Sequence, residues 1–179
     1  MKHISEIKLL VMDVDGTLTN GLITYDERGG ELKSFHVADG LGIVMAVSVG
    51  LHCAVITGRS SEAVTRRMTE LGVADILQGV SDKAAAVKEL MAKYEVTSEQ
   101  TAFIADDIND LPAFAQVGTK IAVSDAATII RHAADMILTK PGGHGAVREA
   151  IEEILRGQGR LDDGMEIYLA RRAKPESGQ

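Results

Sequence analysis

The 179-residue chain has one cysteine, three prolines, no tryptophan and few other aromatic residues, at 3% of the total. A single thiol, Cys53, excludes an internal disulfide, and its place in an apolar stretch assigns it to core packing. The formal charge of −7 speaks against a nucleic-acid partner, and no basic stripe interleaved with aromatics offsets it. No apolar run is long enough to cross a membrane. The run at 9–12 is too short for a secretory h-region, so a cytoplasmic protein is expected. No Pro/Gly/Ser-rich linker divides the chain. With 45% hydrophobic residues, it reads as one domain over 1–157 with a sizeable core, followed by a polar tail over 158–179.

What is present is concentrated at the ends of short apolar runs. Ile7 to Met12 is apolar and branched, as suits a buried parallel strand, and it delivers Asp13-Val14-Asp15-Gly16-Thr17. Ligands bind at the carboxyl edge of open α/β sheets. Two carboxylates about 4 Å apart repel by roughly 4 kcal/mol at an effective dielectric of about 20, so such a pair calls for a counter-ion. Magnesium suits hard oxygen ligands. Taken alone, the same residues are equally well explained as caps of a turn.

Three further segments bear on that choice. Leu51 to Ile56 is a second strand pattern, ending in Thr57-Gly58-Arg59-Ser60-Ser61 before a helical pattern over 62–71. A hydroxyl and free amides at a helix start can seat an anion. A second helical run spans 82–94, with Asp82 as its cap and Lys83 behind it. Thr101 to Ala105 reads as a strand and brings Asp106-Asp107-Ile108-Asn109-Asp110 to the same sheet edge, with Pro112 near the first turn of the next helix.

In order, D-x-D-G-T, a strand-terminal Thr, a Lys and D-D-x-x-D resemble the four signature motifs of the haloacid dehalogenase superfamily of phosphohydrolases. The resemblance implies a three-layer α/β sandwich with a mainly parallel central sheet. It also implies catalytic roles for Asp13 as nucleophile, Asp15 as general acid and base, and Thr57 and Lys83 as holders of the phosphoryl oxygens. Magnesium would be held by Asp13, Asp106 and the backbone carbonyl of Asp15, with Asp107 and Asp110 orienting Lys83 and metal-bound water. The residue before the acidic pair is Ala105, where many relatives carry glycine.

Relatives often insert a cap domain, but the interval after Leu18 here holds only a hairpin and one helix. Gly21 to Tyr25 and Glu31 to His36 alternate apolar and polar positions around Asp26-Glu27-Arg28-Gly29-Gly30, which predicts a β-hairpin. A site without a cap is open to water, so the hairpin and a neighbouring subunit are expected to cover it.

The match then narrows to the family of capless, tetrameric 3-deoxy-D-manno-octulosonate 8-phosphate phosphatases. It runs through G-L-I-T-Y, E-L-K-S-F-H-V-A-D-G-L-G-I, I-T-G-R, L-Q-G-V-S-D-K, I-A-D-D-I-N-D, A-Q-V-G and G-G-H-G-A-V-R-E. In that family the segment matching His36, Val37, Ala38, Asp39 and Gly40, together with Gly58, Arg59, Arg67, Lys83 and Asp15, faces the substrate, a sugar acid phosphate. The octulosonate enzymes usually carry arginines where this chain has Ala38, Val44 and His144. The nine-carbon relatives lack the first two, yet tend to carry Glu in place of Arg59. The octulosonate reading is preferred, and the nine-carbon acid stays open. The tail beyond Gly157 is open too, between a frayed end and a segment reaching a neighbouring site.

Overall fold

The computed structural model describes residues 4–173. Six parallel strands form the central sheet: β1 (Leu9–Met12), β4 (His52–Ile56), β5 (Asp75–Leu77), β6 (Thr101–Ala105), β7 (Thr119–Ala122) and β8 (Met136–Ile137). A separate antiparallel pair, β2 (Thr24–Tyr25) and β3 (Glu31–Leu32), follows β1. The helices are α1 (Val37–Ser48), α2 (Glu62–Glu70), α3 (Lys83–Lys93), α4 (Leu111–Phe114), α5 (Thr128–Ala133), α6 (Ala146–Gly157) and α7 (Leu161–Ala173).

The spatial order is β5-β4-β1-β6-β7-β8. β1 therefore lies between β4 and β6, which explains why Leu9, Leu10, Val11 and Met12 are all buried and why the run shows no polar alternation. The chain winds outward from β1 through β4 to β5, then returns to the other side of β1 through β6. That reversal makes a switch point, the place in such sheets where the loops after neighbouring strands part and leave a crevice. Helices cover both sides of the sheet, with α1, α6 and α7 packed on one another and α3 against α4. Phe103 of β6 and Phe114 of α4 meet edge to face at 6.0 Å in the core. The expected three-layer sandwich is the architecture observed.

Three details differ from, or add to, the pattern in the sequence. The hairpin ladder is only two residues long on each side, and Asp26 closes its turn by accepting from the Arg28 and Gly30 amides at 2.8 and 2.7 Å. β7, α5 and β8 had no clear signal, being four, six and two residues long. Beyond Gly157 the chain forms α7, whose Leu161 packs on the core; residues 174–179 of the tail lie outside the described residues.

Candidate active site

β1, β4 and β6 are adjacent, so the residues that follow them, Asp13, Thr57 and Asp106, converge at one sheet edge. After β1 the chain curls around the Val14 carbonyl, which accepts from the Leu18 and Thr19 amides at 2.9 and 3.0 Å. Gly16 makes this curl possible. Its φ of +93° is a left-handed value, and a Cβ there would fall 2.0 Å from Asp106 Oδ2. The loop before α6 braces the curl from outside: Gly143 N donates to Thr17 O at 2.9 Å, and a Cβ on Gly142 would sit 1.7 Å from Gly16 O.

At the centre, Lys83 Nζ lies 2.6 Å from Asp13 Oδ1 and 2.5 Å from Asp110 Oδ1, with only 3% of its side chain exposed. α3 presents this lysine from its first turn, where Asp82 caps the helix by accepting from Ala85 N at 3.0 Å. One carboxylate oxygen from each of Asp13, Asp106 and Asp110 falls within 4.8 Å of the others. Among the described residues, Asp110 Oδ2 is buried without a hydrogen-bond partner. Burial, then the neighbouring charges of Asp13 and Asp110, pushes the Asp106 carboxyl up to about 8. Asp13 is pushed up to about 6 by burial and by Asp110, against the lowering effect of Lys83. Burial alone would lower the Lys83 ammonium, but Asp13 and Asp110 hold it above its ordinary value. Clustered carboxylates that resist ionisation, with one oxygen orphaned, are the donor set a hard divalent cation suits. Asp107 stands apart from Lys83: it is exposed and caps a 3-10 turn through Ile108 N at 2.7 Å.

Thr57 is buried at the end of β4. Its Oγ1 accepts from Arg59 N at 3.3 Å and donates to Asp15 Oδ2 at 3.5 Å. Asp15 Oδ1 is taken by Lys33 Nζ from the hairpin side. Lys33 also lies 2.8 Å from Glu31 Oε1, and the other Glu31 oxygen binds Arg59 Nη2. Glu31 is held below its ordinary value by its bonds to Lys33 and then Arg59. Lys33 and Glu31 carried no sequence signal, since alternating charges in a hairpin read as solvated.

The segment 36–40 opens α1 beside this cluster. His36 is the helix cap, its Nδ1 accepting from Ala38 N at 3.2 Å, while Val37 is exposed. Asp39 is buried and accepts from Gly145 N at 3.1 Å and Arg148 N at 2.8 Å, joining α1 to the start of α6. Gly40 leaves room for Arg67, whose Nη2 is 2.2 Å from where a Cβ would stand. A cavity of about 240 Å³ beside them is lined by Asn20, Ser34, Phe35, His36, Gly143 and His144.

A parallel sheet with an acidic cluster and a buried lysine at its switch point is the arrangement of a haloacid dehalogenase-like hydrolase, and that family's model matches residues 56–151. The 3-deoxy-D-manno-octulosonate 8-phosphate phosphatase of Haemophilus influenzae is 45% identical over 159 residues, covering 89% of this chain and 88% of its own length. The enzyme of that name from Escherichia coli K12 is 41% identical, with coverages of 88% and 84%. Among solved structures, the phosphatase of the same name from Moraxella catarrhalis superposes with a TM-score of 0.89 at 42% identity, covering 93% of this chain and 96% of that one. It holds a magnesium ion, a phosphate ion and a KDO molecule. The cobalt-bound Haemophilus influenzae phosphatase gives 0.86 at 43% identity, with coverages of 91% and 98%. The chain belongs to the haloacid dehalogenase superfamily, in the family of the 3-deoxy-D-manno-octulosonate 8-phosphate phosphatases, and is a phosphoric monoester hydrolase.

Proposed function

We propose that the protein is a magnesium-dependent phosphatase of a 2-keto-3-deoxy sugar acid phosphate, 3-deoxy-D-manno-octulosonate 8-phosphate, acting through an aspartyl-phosphate. The observation that carries this reading is the meeting of Asp13, Asp106, Asp110 and Lys83 at one sheet edge, in a chain similar to a phosphatase that holds magnesium, phosphate and the sugar acid together. Magnesium would be held by Asp13, Asp106 and the Asp15 backbone carbonyl; when bound it offsets the charge of the phosphoryl group and of the carboxylates around it.

Asp13 attacks phosphorus in line, and the bond from phosphorus to the sugar oxygen breaks as Asp15 gives that oxygen a proton. Water then attacks the acyl phosphate while Asp15 takes a proton from it, which releases phosphate and restores both aspartates. Thr57, Gly58 and Lys83 hold the phosphoryl oxygens, and Asp110 keeps Lys83 aimed at Asp13. Asp107, exposed, acts at most through water. His36, Val37 and Ala38, with Arg59 and Arg67, face the sugar acid, whose carboxylate calls for cations, while Asp39 and Gly40, buried, hold that segment in place.

A second reading has its own support. Ala38 and Val44 stand where the octulosonate enzymes usually carry arginines and the nine-carbon relatives do not, so a nine-carbon keto acid 9-phosphate is the alternative substrate. The hairpin exposes Leu22, Ile23, Tyr25 and Leu32, with Val37 beside them, which favours a homo-oligomer, a tetramer, in which copies cover each other's sites. No described helix is long and apolar enough to cross a membrane. We place the enzyme in the cytoplasm.

Phosphate release with magnesium against a panel of octulosonate 8-phosphate, nonulosonate 9-phosphate, N-acetylneuraminate 9-phosphate and simple sugar phosphates tests the assignment. The eight-carbon ester is expected to turn over fastest. Preference for a nine-carbon ester moves the substrate to the alternative, and magnesium binding without turnover of any ester points to a phosphosugar sensor.

A further inference from the structure

The hairpin does more than face outward. Lys33, just beyond β3, has 3% of its side chain exposed and reaches back to Asp15, 18 residues earlier. Leu32, its neighbour, is 54% exposed, so the alternation of the strand turns Glu31 and Lys33 together toward the site. A lysine so far from water requires its charge to be matched, and both carboxylates it meets are within ion-pair distance. Arg59 closes the chain of charges through Glu31. The contacts thus join the loop after β1, the hairpin and the loop after β4.

The two oxygens of Asp15 are treated differently. Oδ1 is held by Lys33, whereas Oδ2 lies on the Thr57 side with a single weak contact at 3.5 Å. A carboxyl that hands a proton to a leaving oxygen needs one defined oxygen at the reacting position, and an unrestrained side chain would rotate it away. We infer that Lys33 is a positioning residue: by holding Oδ1 it presents Asp15 Oδ2 to the leaving group, and through Glu31 it couples that orientation to the seat of Arg59. This role rests on the acid and base function of Asp15 proposed above. In the first step the proton passes from Oδ2 to the sugar oxygen as its bond to phosphorus breaks; in the second, Oδ2 takes a proton from the attacking water.

The test compares the full-length parent with Lys33→Met and Lys33→Arg, magnesium present, on two esters. One is an alkyl phosphate, the octulosonate 8-phosphate, whose leaving oxygen needs a proton. The other is 2,4-dinitrophenyl phosphate, whose leaving group does not. Lys33→Met is expected to slow release of the alkyl leaving group, read before the acyl phosphate is hydrolysed, by about 10- to 100-fold and release of dinitrophenolate by less than about 3-fold, with at most a small rise in KM. Lys33→Arg, which keeps charge and donors, is expected to regain most of the loss. Should Lys33→Met fail to fold, Lys33→Gln takes its place in the same comparison. Equal slowing on both esters, parental rates on both, or a rise in KM alone overturns the role of Lys33. A parent that forms no product from either ester overturns the phosphatase reading and the Lys33 role with it.

Discussion

Among the described residues, Lys83 and Lys33 are the two ammonium groups set among Asp13, Asp15, Asp106 and Asp110. Two lysines against four carboxylates leave a deficit equal to the charge of one divalent cation, and the metal-free protein meets it by keeping protons on the site. Because the Asp106 carboxyl is raised to about 8 and Asp13 to about 6, their protonated forms favour the folded state. That contribution is complete below the ordinary carboxylate value near 3.8 and is lost as pH rises through about 6 and then about 8. Magnesium held by these carboxylates would displace those protons. The rise in Tm on adding magnesium is therefore expected to be larger at pH 8.5 than at pH 5.5, and a larger rise at the lower pH contradicts the assignment. Lys83→Met strands two buried carboxylates and is expected to cost about 3–5 kcal/mol in denaturant unfolding of the metal-free protein, as well as abolishing phosphate release. The placement of Asp13, Thr57, Lys83 and Asp106 was legible because each ends a strand pattern or opens a helix pattern. Lys33 was not, since no local pattern says that a hairpin lysine folds back onto an aspartate 18 residues before it.

At the scale of elements, β1, β4 and β6 were legible as apolar runs without alternation, the mark of strands covered on both faces. Asp82 and Pro112 marked the starts of α3 and α4. β8 was not legible: two residues carry no period, and Ile137 is 51% exposed. α7 was hidden for a different reason. Its weak apolar stripe includes Gly164, which packs against Leu155 and Met45 where a larger residue would be expected to anchor the helix. A Cβ at Gly164 would meet the nearest atoms at 3.5 Å, an ordinary contact. Gly164→Ala is accordingly expected to stabilise the protein by about 0.5–1 kcal/mol, read as a higher midpoint in urea at unchanged kcat.

For the whole molecule, one sheet edge carries the chemistry and one short hairpin carries the surface most in need of cover. Strand order was beyond the reach of periodicity, which marks strands and says nothing of their neighbours. Leu22 and Leu32 are 68% and 54% exposed, and a chain of 19.1 kDa that stays monomeric would leave them in water. If the proposed oligomer forms through this surface, Leu22→Asp with Leu32→Asp is expected to give a monomer in light scattering and to weaken substrate binding. A parent that is already a fully active monomer contradicts the assembly.

The bracing of the Gly16 curl by Gly142 and Gly143 also bears on how the protein is made. Asp13 leaves the ribosome before its partners: Lys83 follows it by 70 residues, Asp106 follows Thr17 by 89, and the bracing glycines come later still. At about 5–20 residues per second, Asp13 waits several seconds or more before its partners exist. A nascent chain is therefore chemically silent, and hydrolysis begins only once nearly the whole domain has been synthesised.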